Sequence, residues 1–362
     1  MEAVVLPSIE VTSLLNDWYL YIKFQSLDEA NRIKKALDDK KQVLERDQAH
    51  MIYYMLLDFR YKLMLRQFDQ AATDLTKIEA KKDQMDGLLA YYYLFFKGNY
   101  EYDLEHYDKA IECYQLAEDA LKNVPDEIEK AEFHFRVGAA YYQIDYLTLA
   151  LPHAEKALNI YKLQKNYIKK TADGHILLGA IYTDIGNYTE ALTHYKESKK
   201  YYNLLNDPKN ESITLQNLGW LYSKMGNSHK AIQYFESSLD KTDHLDYQLK
   251  TLYLLTKECF KNGFMDKGVK WLNKGVLLAS ENMEKVFEYR FKVLKALYFN
   301  QSDTESVLLQ AINYFKRLNL WEYVEAYSLD LAEYYQKKQR YKEASEWLLN
   351  FARSQKKFSN KI

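Results

Sequence analysis

Over residues 10–66 apolar side chains recur every three or four positions, the spacing that gives a helix one buried stripe. Val11, Leu14, Leu15, Trp18, Tyr21 and Ile22 form the first stripe. Ala30, Ile33 and Leu37 form a second, opened by Ser26-Leu27-Asp28-Glu29, which reads as a capping box. A third helix is predicted over about 47–66, with Ile52, Leu56, Phe59 and Leu63 inward. Met51, Tyr53, Tyr54, Met55 and Leu57 extend its apolar surface round most of the circumference, so this helix packs on two sides or offers a docking surface to a partner. Its polar start carries Asp47, Gln48 and His50.

Beyond residue 90 the chain repeats itself. Leu218-Gly219, Tyr222, Ala231 and Phe235 stand at the same offsets as Leu178-Gly179, Tyr182, Ala191 and Tyr195. Val137-Gly138, Tyr141 and Ala150 continue the frame upstream, and Gly98, Ala110 and Tyr114 before them, so that Gly98, Gly138, Gly179 and Gly219 advance by 40, 41 and 40 residues. Small residues let two antiparallel helices approach closely, and the aromatics are expected to fill the space to the next pair. This is the pattern of tetratricopeptide repeats, in a unit longer than the usual ~34 residues. Gly268, Leu272 and Gly275, then a degenerate unit near Phe291 to Phe315, then Leu331-Ala332, Tyr335 and Ala344 complete about seven repeats. The expected architecture is all-α: a three-helix bundle over 1–68, a helical linker over 69–90 and a superhelical repeat domain over 91–356.

Composition sharpens this. Eleven Gly and four Pro in 362 residues leave few tight turns for an all-β fold. A hydrophobic share of 48% against 28% charged residues supplies a large core and excludes disorder across the chain. The net charge of −1 gives no electrostatic case for nucleic acid. Residues 1–70 hold ten Lys and Arg against eleven Asp and Glu, which argues against a DNA-binding module at the front. No apolar run is long enough to span a membrane and no basic n-region precedes one, so a cytoplasmic protein is expected; a superhelical array with its own N-terminal bundle has no evident need for a symmetric partner, so a monomer is expected. Cys113 and Cys259 lack metal-ligand or redox spacing and are expected to be buried thiols; no metal site or cofactor is indicated.

First helices of such repeats line a groove of the kind that binds peptides. The repeat frame turns Asp173, Ile176, Ala180 and Thr183 inward in one repeat, with Asp184 beside them, and Ile213, Gln216, Asn217, Trp220 and Ser223 in the next. The Asn217 amide can both donate to and accept from a peptide backbone. Asp184 stands at a helix C-terminus, where an acid is disfavoured by the dipole unless a cationic ligand group offsets it.

Asn16-Asp17-Trp18-Tyr19, Asp47-Gln48 with Tyr53-Tyr54 and Phe59-Arg60, Phe95-Phe96-Lys97-Gly98 and the run from Asp126 to Phe133 together resemble the Rap family of Bacillus quorum-sensing regulators, over essentially the whole chain. The resemblance implies a protein that binds a response regulator through its bundle and, in phosphatase members, removes the aspartyl phosphate. Short imported Phr peptides lodge in the repeat groove and release the target as the bundle moves against the repeats. Gln48 matches the family's catalytic glutamine, with any Mg²⁺ on the response regulator. Asp47, Met51, Met55 and Phe59 become candidates for regulator contact. Asp184 matches a position that takes a basic peptide residue and Asn217 one that takes peptide backbone, with Thr183, Gln216 and Trp220 as further groove candidates. Other members antagonise a competence regulator by covering its DNA-binding domain without any enzymatic step, which is the alternative. The chain departs from the family at Gly179-Ala180 and over Leu147 to His153, where Pro152 is expected to disturb its helix.

Overall fold

Amphipathic spacing and scarce turn residues produce helices joined by short connections. The computed structural model describes residues 2–122, 124–299 and 303–359, with side chains described over 9–122, 124–299 and 303–352. Within them lie nineteen α-helices and no strand. The chain forms two compact units, Met1–Leu163 and Gln164–Ile362.

Unit 1 begins with α1 (Glu2–Phe24), α2 (Leu27–Asp39), the short α3 (Lys41–Leu44) and α4 (Gln48–Met64). Val11, Leu15, Trp18 and Ile22 are buried as the stripe predicts, and Ala30, Ile33 and Leu37 likewise. The capping box is not made: the Ser26 side chain forms no cap hydrogen bond, and the turn is closed by backbone, with Gln25 at φ 57 and the Ser26 N–H donating to the Tyr21 carbonyl. The broad apolar surface of α4 is largely used within the unit, because α4 lies against α1, α5 (Phe68–Glu79) and α6 (Gly87–Asp103). Tyr53 stacks on Tyr92 of α6 with ring centroids 5.5 Å apart. The segment expected as a helical linker holds α5, which buries Ala71, Leu75 and Ile78.

Seven helix pairs follow in chain order. Unit 1 contains α6 with α7 (Tyr107–Leu121) and α8 (Glu127–Gln143) with α9 (Leu147–Lys162). Unit 2 contains α10 (Ile168–Ile185) with α11 (Tyr188–Leu204), α12 (Pro208–Lys224) with α13 (Ser228–Leu239), α14 (Leu245–Lys261) with α15 (Met265–Glu281), α16 (Lys285–Tyr298) with α17 (Thr304–Arg317), and α18 (Trp321–Lys337) with α19 (Tyr341–Ser359). Helices such as α10 and α11, of 18 and 17 residues, account for the long repeat.

The repeating glycines have a direct packing cause. A methyl carbon on Gly179 would lie 2.6 Å from the Tyr195 ring, and one on Gly219 would lie 2.6 Å from Phe235. The aromatic ring therefore covers the glycine of its own pair, rather than only filling the gap to the next pair as the frame suggests. Gly186, at φ 88, ends α10 in the left-handed conformation that a side chain disfavours. Pro152 lies within a continuous α9 and does not break it; Ala150, Ala154, Ala157, Leu158 and Tyr161 are buried along the same helix and hold it in place. Both cysteines are buried thiols, and burial raises each to about 11.

Candidate functional site

The start of α4 is built by its N-cap. The Asp47 carboxylate accepts from the backbone N–H groups of Ala49 (2.9 Å) and His50 (3.1 Å), which, above all that of His50, hold its pKa below the ordinary carboxylate range. Its other oxygen lies 3.1 Å from His50 Nδ1, and His50 Nε2 lies 2.6 Å from the Thr12 hydroxyl of α1. Thus α1 and α4 are tied together at this tip.

Gln48, the first residue of α4, is exposed beside this chain. Its Nε2 donates to Gln84 Oε1 at 2.6 Å, from the short 3₁₀ turn Lys82–Gln84 between α5 and α6. That contact occupies one amide hydrogen. A second hydrogen and the carbonyl oxygen remain, enough to donate to one oxygen and to accept from a water. No sequence signal singled out Thr12 or Gln84, since each reaches the site only through the packing of separate elements.

Asp47 is exposed, and Met51 and Met55 are half-buried against the core. Phe59 is a correction: it is buried, with its ring 5.8 Å from that of Tyr100, and it supports the surface from beneath instead of forming it.

Behind the tip, residues that are far apart in sequence converge. Tyr19 donates to both oxygens of Glu129, at 2.8 and 2.7 Å, and Tyr91 donates to one at 3.1 Å. Lys23 pairs with Asp126 at 2.8 Å and lies 3.6 Å from Glu129. Burial raises the Glu129 carboxyl above its ordinary range, with Lys23 and the Tyr19 hydroxyl pulling the other way. Trp18 lies against Tyr54, and Phe96 against Tyr19. The four segments that carry the family resemblance thus meet in one cluster of unit 1.

In unit 2 the first helices touch in series, α10 to α12 to α14 to α16, and form a continuous inner face. Asp184 is exposed near the end of α10, Asn217 is half-buried on α12, and Trp220 is exposed with the Lys224 ammonium 5.1 Å above its ring. Thr183 and Gln216 are corrections: both are buried and engaged internally. Thr183 donates to the Gly179 carbonyl at 2.7 Å, and the Gln216 amide donates to the Thr251 hydroxyl at 2.7 Å.

Comparison with known proteins follows this division. Residues 5–66 match the family described as response regulator aspartate phosphatase H, N terminal, and residues 171–241 match a tetratricopeptide repeat family. Response regulator aspartate phosphatase E of Bacillus subtilis (strain 168) is 32% identical over 86% of this chain and 85% of its own length. Regulatory protein RapG of the same organism is 31% identical over 93% of each. A crystal structure of a Rap protein complexed with Competence and Sporulation Factor superposes with a TM-score of 0.83 at 26% identity, covering 98% of this chain and 99% of that one. Among the described residues no helix is long and apolar enough to cross a membrane.

Proposed function

The chain belongs to the Rap family of response regulator aspartate phosphatases, and we propose that it binds a response regulator through its N-terminal helices and hydrolyses the regulator's aspartyl phosphate, inhibited by a short imported Phr-type peptide on the inner face of unit 2. The observation that carries the reading is Gln48, exposed at the start of α4 with its carboxamide held by Gln84.

An aspartyl phosphate is already activated, so the protein need only place a water in line with the phosphorus. The water oxygen bonds to phosphorus as the bond to the aspartyl oxygen breaks. Aspartate leaves as the carboxylate, and inorganic phosphate carries the water's oxygen. The Gln48 carbonyl accepts from that water, while its remaining amide hydrogen donates to a phosphoryl oxygen. Mg²⁺ would come with the response regulator, where it would neutralise charge on the phosphoryl group, and no cofactor is expected from this chain. Asp47, Met51 and Met55 form the contact surface around Gln48, backed by Phe59. The protein works in the cytoplasm, where response regulators are phosphorylated. On the inner face Asp184 takes a basic peptide residue, Asn217 takes peptide backbone, and Trp220 flanks them.

The test is the lifetime of a radiolabelled phosphoryl group on a purified receiver protein of the sporulation phosphorelay. Wild-type protein shortens it, and Gln48→Ala restores it by about a hundredfold while the complex survives, as for loss of a water-positioning group. Loss of the complex instead would make Gln48 a docking residue. A second reading, antagonism without hydrolysis, is favoured by the similar likeness to RapG, which is named a regulatory protein. In that case the lifetime is unchanged, and the protein displaces an unphosphorylated regulator from promoter DNA.

A further inference from the structure

The sixth residues of α10, α12, α14 and α16 are Asp173, Ile213, Lys250 and Arg290. Asp173 and Ile213 are inward positions of the repeat frame, so the same register continued along the inner face reaches two cations. Asp173 already has partners in the Tyr202 hydroxyl and in Lys169 at 3.8 Å. The cations differ.

Arg290 is only 9% exposed, yet among the described residues its guanidinium has no ion pair and no hydrogen bond, and its Nε is fully enclosed without a partner. Aromatic rings surround it instead. The guanidinium carbon lies 3.9 Å from the centroid of Tyr253 on α14, 4.8 Å from Phe287 on its own helix and 4.9 Å from Tyr323 on α18. Rings satisfy the face of a guanidinium, but its N–H edge still needs an acceptor. A buried charge without one is costly to keep.

Lys250 stands at the matching place on α14, exposed and with no ion pair among the described residues. Partial loss of solvation beside the neighbouring helices, and next the charge of Arg290, push its ammonium below the ordinary lysine range although the side chain is exposed; Glu322 of α18 acts in the opposite direction. Helices α14 and α16 touch, the Arg290 charge is felt at Lys250, and three rings surround the guanidinium, so two cations on adjacent helices are available to a carboxylate.

We propose that Arg290 and Lys250 form a subsite that binds a carboxylate of the regulatory peptide, from either its C-terminus or an acidic side chain. The inference rests on the peptide-binding reading above and adds polarity to it. Asp184 and the cations occupy different helices of the face, so a peptide with a basic residue and a carboxylate is oriented by opposite charges at separate points.

The probe is an equimolar pool of pentapeptides with free termini, passed over the immobilised full-length protein, with retained peptides identified by mass spectrometry. Each is remade with an amidated C-terminus, and each Asp or Glu it contains is separately changed to the amide. Affinities are measured by calorimetry for wild type, Lys250→Gln, Arg290→Gln and Arg290→Lys. One of the two neutralised forms should bind wild type about tenfold more weakly than its parent, and which one identifies the source of the carboxylate. That difference should vanish in Lys250→Gln and Arg290→Gln and persist in Arg290→Lys. Lys250 is exposed, so its variant remains informative if loss of the Arg290 stack impairs folding. Equal binding of parent and neutralised peptides would overturn the subsite while leaving the peptide reading intact. A pool from which nothing is retained would remove both.

Discussion

Glu129 in unit 1 and Arg290 in unit 2 are both charged and both withdrawn from solvent, but their surroundings differ in kind. Glu129 is fully buried and receives two tyrosine hydroxyls, with Lys23 close by. The chain supplies its own counter-groups, and the network ties α1 to α8. Among the described residues Arg290 receives only ring faces. Burial of a charge therefore does not by itself mark a binding site. The distinction lies in whether the protein completes the hydrogen bonding or leaves it open to a ligand.

The largest expected effect comes from breaking the closed network. Glu129→Leu strands two buried hydroxyls and removes one of the two carboxylates near Lys23, and it should lower stability by about 3 kcal/mol in denaturant unfolding. A loss under about 1 kcal/mol would mean that the network relaxes freely. Tyr19→Phe, which removes only the donor that reaches both oxygens, should lower stability by about 1.5 kcal/mol in the same assay.

A pH series sharpens the same region. Burial raises the folded Glu129 pKa above its ordinary value of 4.5, so the stability it confers is complete below that pH and is lost as pH rises through the folded value. Wild type should thus lose stability relative to Glu129→Gln as pH increases from 4.5; parallel curves would show that the carboxyl is not perturbed. The smallest change is expected at the open site. Arg290→Met orphans no carboxylate and keeps the side-chain volume against the rings, so stability should stay within about 1 kcal/mol of wild type. A loss as large as that of Glu129→Leu would make Arg290 a structural group and erase the contrast.

Legibility of the molecule followed distance along the chain. The stripes of α1, α2 and α4 could be read because helical spacing alone sets which residues turn inward. The excess apolar surface of α4 was visible too, but whether it met a partner or the chain itself was not: Tyr53 meets Tyr92 in a helix whose approach no local pattern encodes. Gln48 stood out only through resemblance, since an exposed glutamine at a helix start has no spacing signature. Phe59 already stood on the inward stripe of α4, whereas Thr183 and Gln216 shared a face with accessible neighbours in the frame, and only the packing showed those two turned inside.

The sequence by itself determined the helical repeat. Gly98 and Tyr114, Gly179 and Tyr195, and Gly219 and Phe235 meet across one hairpin, where the covalent connection fixes the offset and makes it recur. Tertiary structure alone decided the fate of the buried charges. Tyr19 reaches Glu129 across 110 positions of chain, and among the described residues Arg290 Nε is enclosed with no acceptor brought to it. A local contact leaves a period in the sequence. A long-range partner, or the lack of one, is set by how separate helices pack, because electrostatic and hydrogen-bonding needs are satisfied in space and not along the chain.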